Sequence, residues 1–344
     1  MTDDEIAELL RSDRSIVMIE APAGCGKTFQ AAEFAAYAAE TIGSQKILVL
    51  THTHAACSVI ADRTRQIKDK VDIRTLDGFI HEIASAYSVA LGLPNDIAKW
   101  VRSEKHGHER LADRVSRFVL ANPMVTKALA QRFPVIICDE HQDSNFDQEN
   151  IVLAITKFGA QLRVFGDPMQ VIPGGRGQDA RVAEVVRRWA ALRRIATFGE
   201  LAVPHRWRST NPGLGEWVLE ARQQLRDGNP IDLSKQLPPH MELLTAENGA
   251  LSGQPYRFVP SGGDWQSINA AINRDAGMLC VAGQSNTING LHLTFRQRLR
   301  IWEGHTRNDL DALIVQLVDA NKSVGEQANQ FVHFLRIRLK INTH

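Results

Sequence analysis

Residues Ser15 to Thr28 read SIVMIEAPAGCGKT, and the fold class follows from how this stretch is read. The apolar run Ile16 to Ile19 leads into Ala21-Pro22-Ala23-Gly24-Cys25-Gly26-Lys27-Thr28, and an alanine-rich helical pattern, Phe29 to Ala39, follows at once. Strand, tight loop and helix in that order fit a phosphate-binding loop, with Ala21 where the first glycine usually stands. The extra methyl group is tolerated if the backbone there needs no positive φ. Successive N–H groups of the loop and the helix start form a positively polarised nest for a nucleotide β-phosphate. Gly24 and Gly26 let the chain curl that tightly. Lys27 can reach the β- and γ-phosphates as a point charge, and the Thr28 hydroxyl is placed to ligate a bridging Mg²⁺.

Outward from the loop, the chain keeps alternating strand and helix. Lys46 to Leu50 (KILVL) is an apolar strand followed by Thr51-His52-Thr53-His54 and a helix to about Arg65. Ile73 to Thr75 runs into Asp77-Gly78-Phe79 and a helix with Ile80, Ile83, Tyr87 and Leu91 at helical spacing. From Asn95 to Arg132 the pattern is wholly helical and polar, an insertion spanning about 88–132 whose cations around Trp100 are diluted by Glu104, Glu109 and Asp113. Strands then return at Val135 to Cys138, Leu162 to Phe165 and Arg194 to Phe198, and a helix follows at about Asn211 to Arg226. Such alternation builds a parallel sheet covered on both faces, with ligands at the carboxyl ends of its strands. The expected organisation is an α/β nucleotide-binding domain over 1–210 and a partial second α/β or helical unit over 211–344. The latter has turns between Asp227 and Asp264, a helix from Trp265 to Asn273, a strand from Met278 to Val281 and a helix around Asn286 to Arg298.

Composition narrows the class less than the motif does. The 344 residues, 44% of them hydrophobic, suffice for packed cores, and a formal net charge of +1 does not announce a nucleic-acid partner. Arg296, Arg298 and Arg300, and then Arg336, Arg338 and Lys340, alternate along two stretches, which suits either a phosphate-tracking face or scattered surface cations. Cys25, Cys57, Cys138 and Cys280 form no CxxC pair and read as small buried hydrophobes in a reducing cytoplasm. The acidic start, Met1 to Glu5, lacks the order of a secretory signal, and no run of about eighteen apolar residues suggests a membrane span. His52 and His54 read as polar loop residues rather than metal ligands.

Two strand ends complete the chemistry, that of Val135 to Cys138 and that of Leu162 to Phe165, which runs into Gly166-Asp167-Pro168-Met169-Gln170. Val135 to Cys138 delivers Asp139-Glu140, the pair in which one carboxylate holds Mg²⁺ and the next orients and deprotonates a water. Together APAGCGKT, LTHTHAACSVIADR, TLDGF, VIICDEHQDSNFDQ, VFGDPMQ and PHRWRS resemble, in order and spacing, the UvrD/Rep-type superfamily-1 DNA helicases up to about Ser209. That resemblance implies a RecA-like domain and an ATP hydrolase in which Lys27, Thr28, Asp139 and Glu140 serve Mg-ATP. It implies that Gln142 and Gln170 sense the γ-phosphate, that Thr51, Thr53 and Thr75 contact a single-stranded DNA backbone, and that Arg206 or Arg208 approaches the γ-phosphate.

The sequence also departs from the family. No adenine-reading glutamine occurs between Asp3 and Ser15, no ring follows GDPMQ in Val171 to Gly175, Asp77 stands where a histidine is usual, and the later motifs with a further arginine are not recognisable. The implied function is a translocase in DNA repair or defence against foreign DNA, completed by a longer chain or by a second one. The alternatives are an ATP-controlled switch that clamps nucleic acid without unwinding it and, with less to support it, a small-molecule kinase.

Overall fold

The computed structural model describes residues 1–171, 178–234, 237–239, 241–243, 246–249, 257–260 and 264–272, with isolated positions between 314 and 332. The chain divides into two compact units, Met1–Met241 and Glu242–His344.

The first unit opens with α1 (Asp3–Arg11), β1 (Ile16–Glu20), α2 (Lys27–Ala39), β2 (Ile47–Thr51), α3 (His54–Arg63), β3 (Val71–Thr75) and α4 (Leu76–Ala86). The insertion contributes α5 (Ile97–Ser103), α6 (Gly107–Ala121) and α7 (Pro123–Arg132). The α/β alternation then resumes with β4 (Val135–Cys138), α8 (Phe146–Thr156), β5 (Gln161–Gly166), α9 (Gln178–Ile195), β6 (Thr197–Glu200) and α10 (Pro212–Arg226). All six strands are parallel, in the order β3-β2-β4-β5-β1-β6. This is the α/β fold with a helical insertion that the sequence pattern implies.

Alternation along each strand feeds two cores. Met18, Leu48, Leu50, Ile136 and Cys138 face the layer that includes α4, α8 and the insertion, whereas Val17, Ile19, Ile47, Val49, Val135 and Ile137 face α1 and α2. A strand buried on both faces reads as a continuous apolar run, which is why β2 and β4 were legible as KILVL and VIIC. The insertion is amphipathic: Leu111, Ala112, Val115 and Val119 of α6 bury a helical stripe in the first of these cores. Three of its arginines are engaged locally. Arg110 pairs with Glu104, Arg117 with Asp113, and Arg114 lies 5.1 Å from the Trp100 ring centroid.

One buried charge sits within the second layer. Arg163, fully buried on β5, donates to the carbonyl oxygens of Leu10 (2.7 Å), Ser12 (2.7 Å) and Arg14 (2.9 Å) and lies over the Phe34 ring. It thereby satisfies carbonyls that the end of α1 leaves without intrahelical partners. Burial pulls its guanidinium down to about 10, so it stays charged at neutral pH.

Several elements differ from the sequence reading. The acidic start is a helix, α1, closed by a capping box in which Thr2 accepts from the Glu5 N–H and Glu5 accepts from the Thr2 N–H, with Ile6 and Leu10 buried one turn apart. The strand expected at Arg194 to Phe198 is shifted: Val185, Trp189 and Leu192 keep a helical stripe buried, α9 runs on through Ile195, and β6 begins at Thr197. The first unit extends past the boundary read at 210, because α10 is ion-paired to the ends of β1 and β5. In the second unit the described residues contain an antiparallel pair, β7 (Ala246–Gly249) with β8 (Arg257–Pro260), where turns were expected, and α11 (Asp264–Ile272), close to the helix expected there. The strand at Met278 to Val281, the helix at Asn286 to Arg298, Cys280, Ile172 to Gly175 and both alternating cation stretches lie outside the described residues. No helix among the described residues is long and apolar enough to cross a membrane.

Candidate nucleotide-binding site

The loop between β1 and α2 follows from its two glycines. Gly24 has φ +76° and Gly26 φ +85°, the left-handed region that side chains disfavour. At Gly24 a Cβ would also lie 2.8 Å from Arg206 Cβ and from the Trp207 ring, so the loop accommodates the turn at 205–207 only without a side chain. Ala21, in the place of a glycine, is not among the positive-φ residues, and its N–H donates to Gly166 O at 2.9 Å, fastening the loop to the end of β5. Pro22 and Ala23 complete the curve, and the Cys25 N–H closes it on Pro22 O at 3.1 Å. Burial pushes the Cys25 thiol up to about 11, so it is a protonated packing group and not a nucleophile.

A cleft of about 700 Å³ lies over this loop. Lys27, Thr28, Glu140, Gln170 and Arg206 are on its walls, and so is Arg63 from the last turn of α3. The half-buried Thr28 hydroxyl has no hydrogen-bond partner among the described residues. Arg206 also ties the turn to the loop, donating its backbone N–H to Gly24 O at 3.0 Å. Arg208 is exposed and is not on the cleft wall, so of the two arginines the sequence offered, Arg206 is the one placed there.

Asp139 follows β4, is almost fully buried, and donates its N–H to Leu50 O at 2.8 Å. Its carboxylate is 3.7 Å from Lys27 Nζ, and Glu140 is ion-paired with the same ammonium. Burial raises the Asp139 pKa above the ordinary carboxylate range despite Lys27. Burial also pushes Glu140 up, but the Lys27 charge and hydrogen bonds from Gln142 and Lys27 outweigh it, so Glu140 titrates below its usual range. Glu140 has φ 52°, ψ 40°, a conformation that costs a non-glycine residue energy and turns the chain sharply after β4.

The two glutamines form a connected set with these carboxylates. Gln142 Nε2 donates to Glu140 Oε2 at 2.8 Å, and its Oε1 accepts the Asp167 N–H at 3.0 Å. Gln170 Nε2 donates to Asp167 Oδ2 at 2.7 Å. A Cβ on Gly166 would lie 2.6 Å from Gln142 Oε1 and 2.7 Å from the Trp189 ring, so the glycine before Asp167 is what lets Gln142 approach β5.

The threonines lie on another part of the sheet. Thr51 and Thr75 are register partners at the ends of β2 and β3. Thr51 is buried with its hydroxyl unpartnered. Thr53 and Thr75 are N-caps, accepting from the N–H groups of Ala56 (3.1 Å) and Gly78 (3.0 Å). Beside them a smaller pocket, about 400 Å³, includes His52, Asp77 and Arg188. His52 and Ser144 on its wall begin a chain of contacts: His52 Nε2 with Ser144 Oγ (3.1 Å), Ser144 Oγ with His141 Nδ1 (3.2 Å), and His141 Nε2 with Glu149 Oε2 (3.2 Å). Asp77, where a histidine was expected, accepts from Gln148 Nε2 at 2.8 Å.

Sequence reading missed Arg63 and the buried acids Glu20 and Asp167 with their partners Trp189, Arg222 and Arg226. Glu20 precedes the loop and Asp167 belongs to GDPMQ, so an acid at each of two adjoining strand ends was the available signal. Their cationic partners on α10 are far away in sequence.

A protein-family profile described as an AAA domain matches residues 5–176, half of the chain. The chain belongs to that family. The matched span holds the loop, Asp139, Glu140, Gln142 and Gln170, and membership implies nucleotide binding. Among solved structures, the chain is similar to a Pif1 helicase from Candida albicans (17% identity, 81% of this chain and 54% of that one, TM-score 0.38). It is also similar to a Pif1 helicase from Bacteroides in complex with ADP-AlF3 and ssDNA (17% identity, 80% and 57%, TM-score 0.33). The chain thus spans little more than half the length of either. No curated protein gives a significant match.

The donor set suits a metal brought by a nucleotide. Among the described residues no three His, Cys, Asp or Glu side chains are grouped to hold an ion alone, whereas the Thr28 hydroxyl and the buried Asp139 supply two hard oxygens beside the phosphate loop.

Proposed function

We propose that this chain binds ATP with Mg²⁺ and hydrolyses it to drive movement on single-stranded DNA, as the nucleotide-binding part of a UvrD/Rep-type superfamily-1 helicase acting in DNA repair or defence against foreign DNA. The observation that supports this most is the convergence of Lys27, Glu140, Gln170 and Arg206 on one cleft from three strand ends and a distant turn. In this reading the loop from Ala21 to Gly26 cradles phosphate with its N–H groups, and Lys27 binds the β- and γ-phosphates. Thr28 and Asp139 hold Mg²⁺, which when bound neutralises charge on the phosphate oxygens. Glu140 orients the attacking water and accepts its proton, and Gln142 and Gln170 sense the γ-phosphate and link it to the DNA groove. Arg206 stabilises charge on the γ-phosphate, and another chain or a further region supplies a second arginine. Thr51, Thr53 and Thr75 meet the DNA backbone.

One observation favours the alternative of an ATP-controlled switch. Glu140 is held by Lys27 and Gln142, so the base is sequestered until phosphate competes for the lysine. Single-stranded DNA separates the two readings. A motor raises its steady-state ATP turnover steeply when DNA is added, whereas a switch binds DNA with turnover unchanged.

A further inference from the structure

Both glutamines beside the cleft are tied to Asp167, Gln142 in addition to its bond to Glu140. Gln170 donates to Asp167 Oδ2, and Gln142 accepts from the Asp167 N–H, so both depend on where Asp167 sits. Asp167 is 1% exposed, and its Oδ1 is used by the Met169 N–H at 2.9 Å. The cation facing it comes from α10: Arg222 Nη1 donates to Asp167 Oδ2 at 2.7 Å, the oxygen that also receives Gln170. The other arm of the same guanidinium, Nη2, donates to Glu20 Oε1 at 2.6 Å, and Glu20 is 4% exposed at the end of β1, directly before the phosphate loop. Glu20 is further held by Arg226 Nη2 (2.7 Å) and by Trp189 Nε1 (3.1 Å), whereas Asp167 has no second cation among the described residues.

We propose that Arg222 is a positioning residue: its guanidinium bridges the strand end that carries the phosphate loop and the strand end that carries Gln170, and so sets the γ-phosphate-sensing glutamine relative to the nucleotide. This rests on the nucleotide-site reading above. The arrangement suits an arginine because each of two arms of one planar guanidinium takes a carboxylate, and the two carboxylates belong to adjoining parallel strands. Arg222 Nε is buried without a partner. The side chain is thus placed by its bridging geometry, with one of its own donors left unsatisfied. Without the bridge, two buried carboxylates lose their shared cation, Asp167 repels its surroundings or takes up a proton, and Gln170 loses its fixed acceptor.

The test uses the full chain with Arg222→Met, Arg222→Lys and the charge-compensating pair Arg222→Met with Asp167→Asn. Affinities for Mg-ADP and for a non-hydrolysable Mg-ATP analogue are measured by calorimetry, turnover is measured alongside, and thermal melts report folding. Arg222→Met and Arg222→Lys are expected to keep Mg-ADP affinity within about threefold while the preference for the ATP analogue over ADP falls by about tenfold, with turnover falling at least as much. The added Asp167→Asn should recover melting temperature, because a neutral amide needs no cation, but not the preference, because its single oxygen cannot accept from both Met169 and Gln170. An unchanged preference in a folded Arg222→Lys overturns the proposal. So does an equal loss of ADP and ATP-analogue affinity in step with melting temperature, which describes a merely structural residue. If Arg222→Met does not fold, Arg222→Lys, which keeps a buried cation, decides. A wild-type chain that prefers the ATP analogue but never turns it over contradicts the hydrolysis reading, and the affinity ratio still tests Arg222.

Discussion

At the carboxyl ends of β1, β4 and β5, polar groups face a cleft with binding capacity to spare: loop N–H groups, the Thr28 hydroxyl and the Lys27 ammonium, held for now by two carboxylates. At the ends of β2 and β3, the polar side chains are largely used by the protein, the buried Thr51 hydroxyl excepted. Thr53 and Thr75 cap helices, Asp77 accepts from Gln148, and His52 opens a relay through Ser144 and His141 to Glu149. One sheet thus presents a region arranged for an incoming charged ligand and a neighbouring region that, apart from the Thr51 hydroxyl, is internally satisfied. A nucleic-acid strand crossing the second region would meet helix N-terminal N–H groups more readily than free hydroxyls.

The largest effect expected from this contrast is at Lys27. Lys27→Ala removes contacts to two phosphates, each a charge-assisted interaction of roughly 1.5–3 kcal/mol, and should weaken Mg-ATP binding by about 100-fold or more with the fold intact. Calorimetry showing unchanged affinity would remove the distinction between the two regions.

A smaller effect is expected at His52, in the satisfied region. Burial, with repulsion from His141, lowers its pKa from 6.5 to about 4 despite the nearby acids. Between those values the unfolded chain binds a proton that the folded chain refuses, so stability falls as pH drops from about 6.5 to 4, by at most about 3 kcal/mol. Below that window both states are protonated and the loss is complete. Denaturant melts at pH 7 and pH 5 should show His52→Gln losing less stability between the two than the wild type.

The smallest effects belong to the caps. Thr53→Ala and Thr75→Ala should each cost about 1 kcal/mol in denaturant unfolding, with serine at either position restoring it, and should leave Mg-ATP affinity unchanged. A cap variant that weakens nucleotide binding as strongly as Lys27→Ala would mean the two regions are not separable.

The same contrast explains what could be read from sequence. Strands β1, β2, β4 and β5 are contiguous apolar runs, and the loop residues announce themselves because few backbones tolerate Gly-x-Gly-Lys-Thr between a strand and a helix. Asp139 and Glu140 were legible because a buried strand delivers them. Gln142 and Gln170 were legible only through resemblance. The start of α1 was readable as the Thr2 to Glu5 capping box, but a short amphipathic helix beside an acidic terminus gives a weak signal. The end of α9 was misplaced because Arg194 to Phe198 has apolar residues at both helical and strand spacing, and packing of Trp189 and Leu192 settles the matter. The clamp of Arg222 on Glu20 and Asp167 was not legible, since α10 reads as an ordinary charged helix until the chain folds it onto β1 and β5.

The most direct test of the account is a comparison of Glu140→Gln with the wild type under saturating Mg-ATP and single-stranded DNA. The amide keeps the shape of Glu140 but cannot take the proton of the attacking water. It should therefore bind Mg-ATP within about threefold of the wild type while turnover falls by roughly 10² to 10⁴. Turnover in Glu140→Gln equal to that of the wild type would contradict the assignment of this cleft as a hydrolytic site.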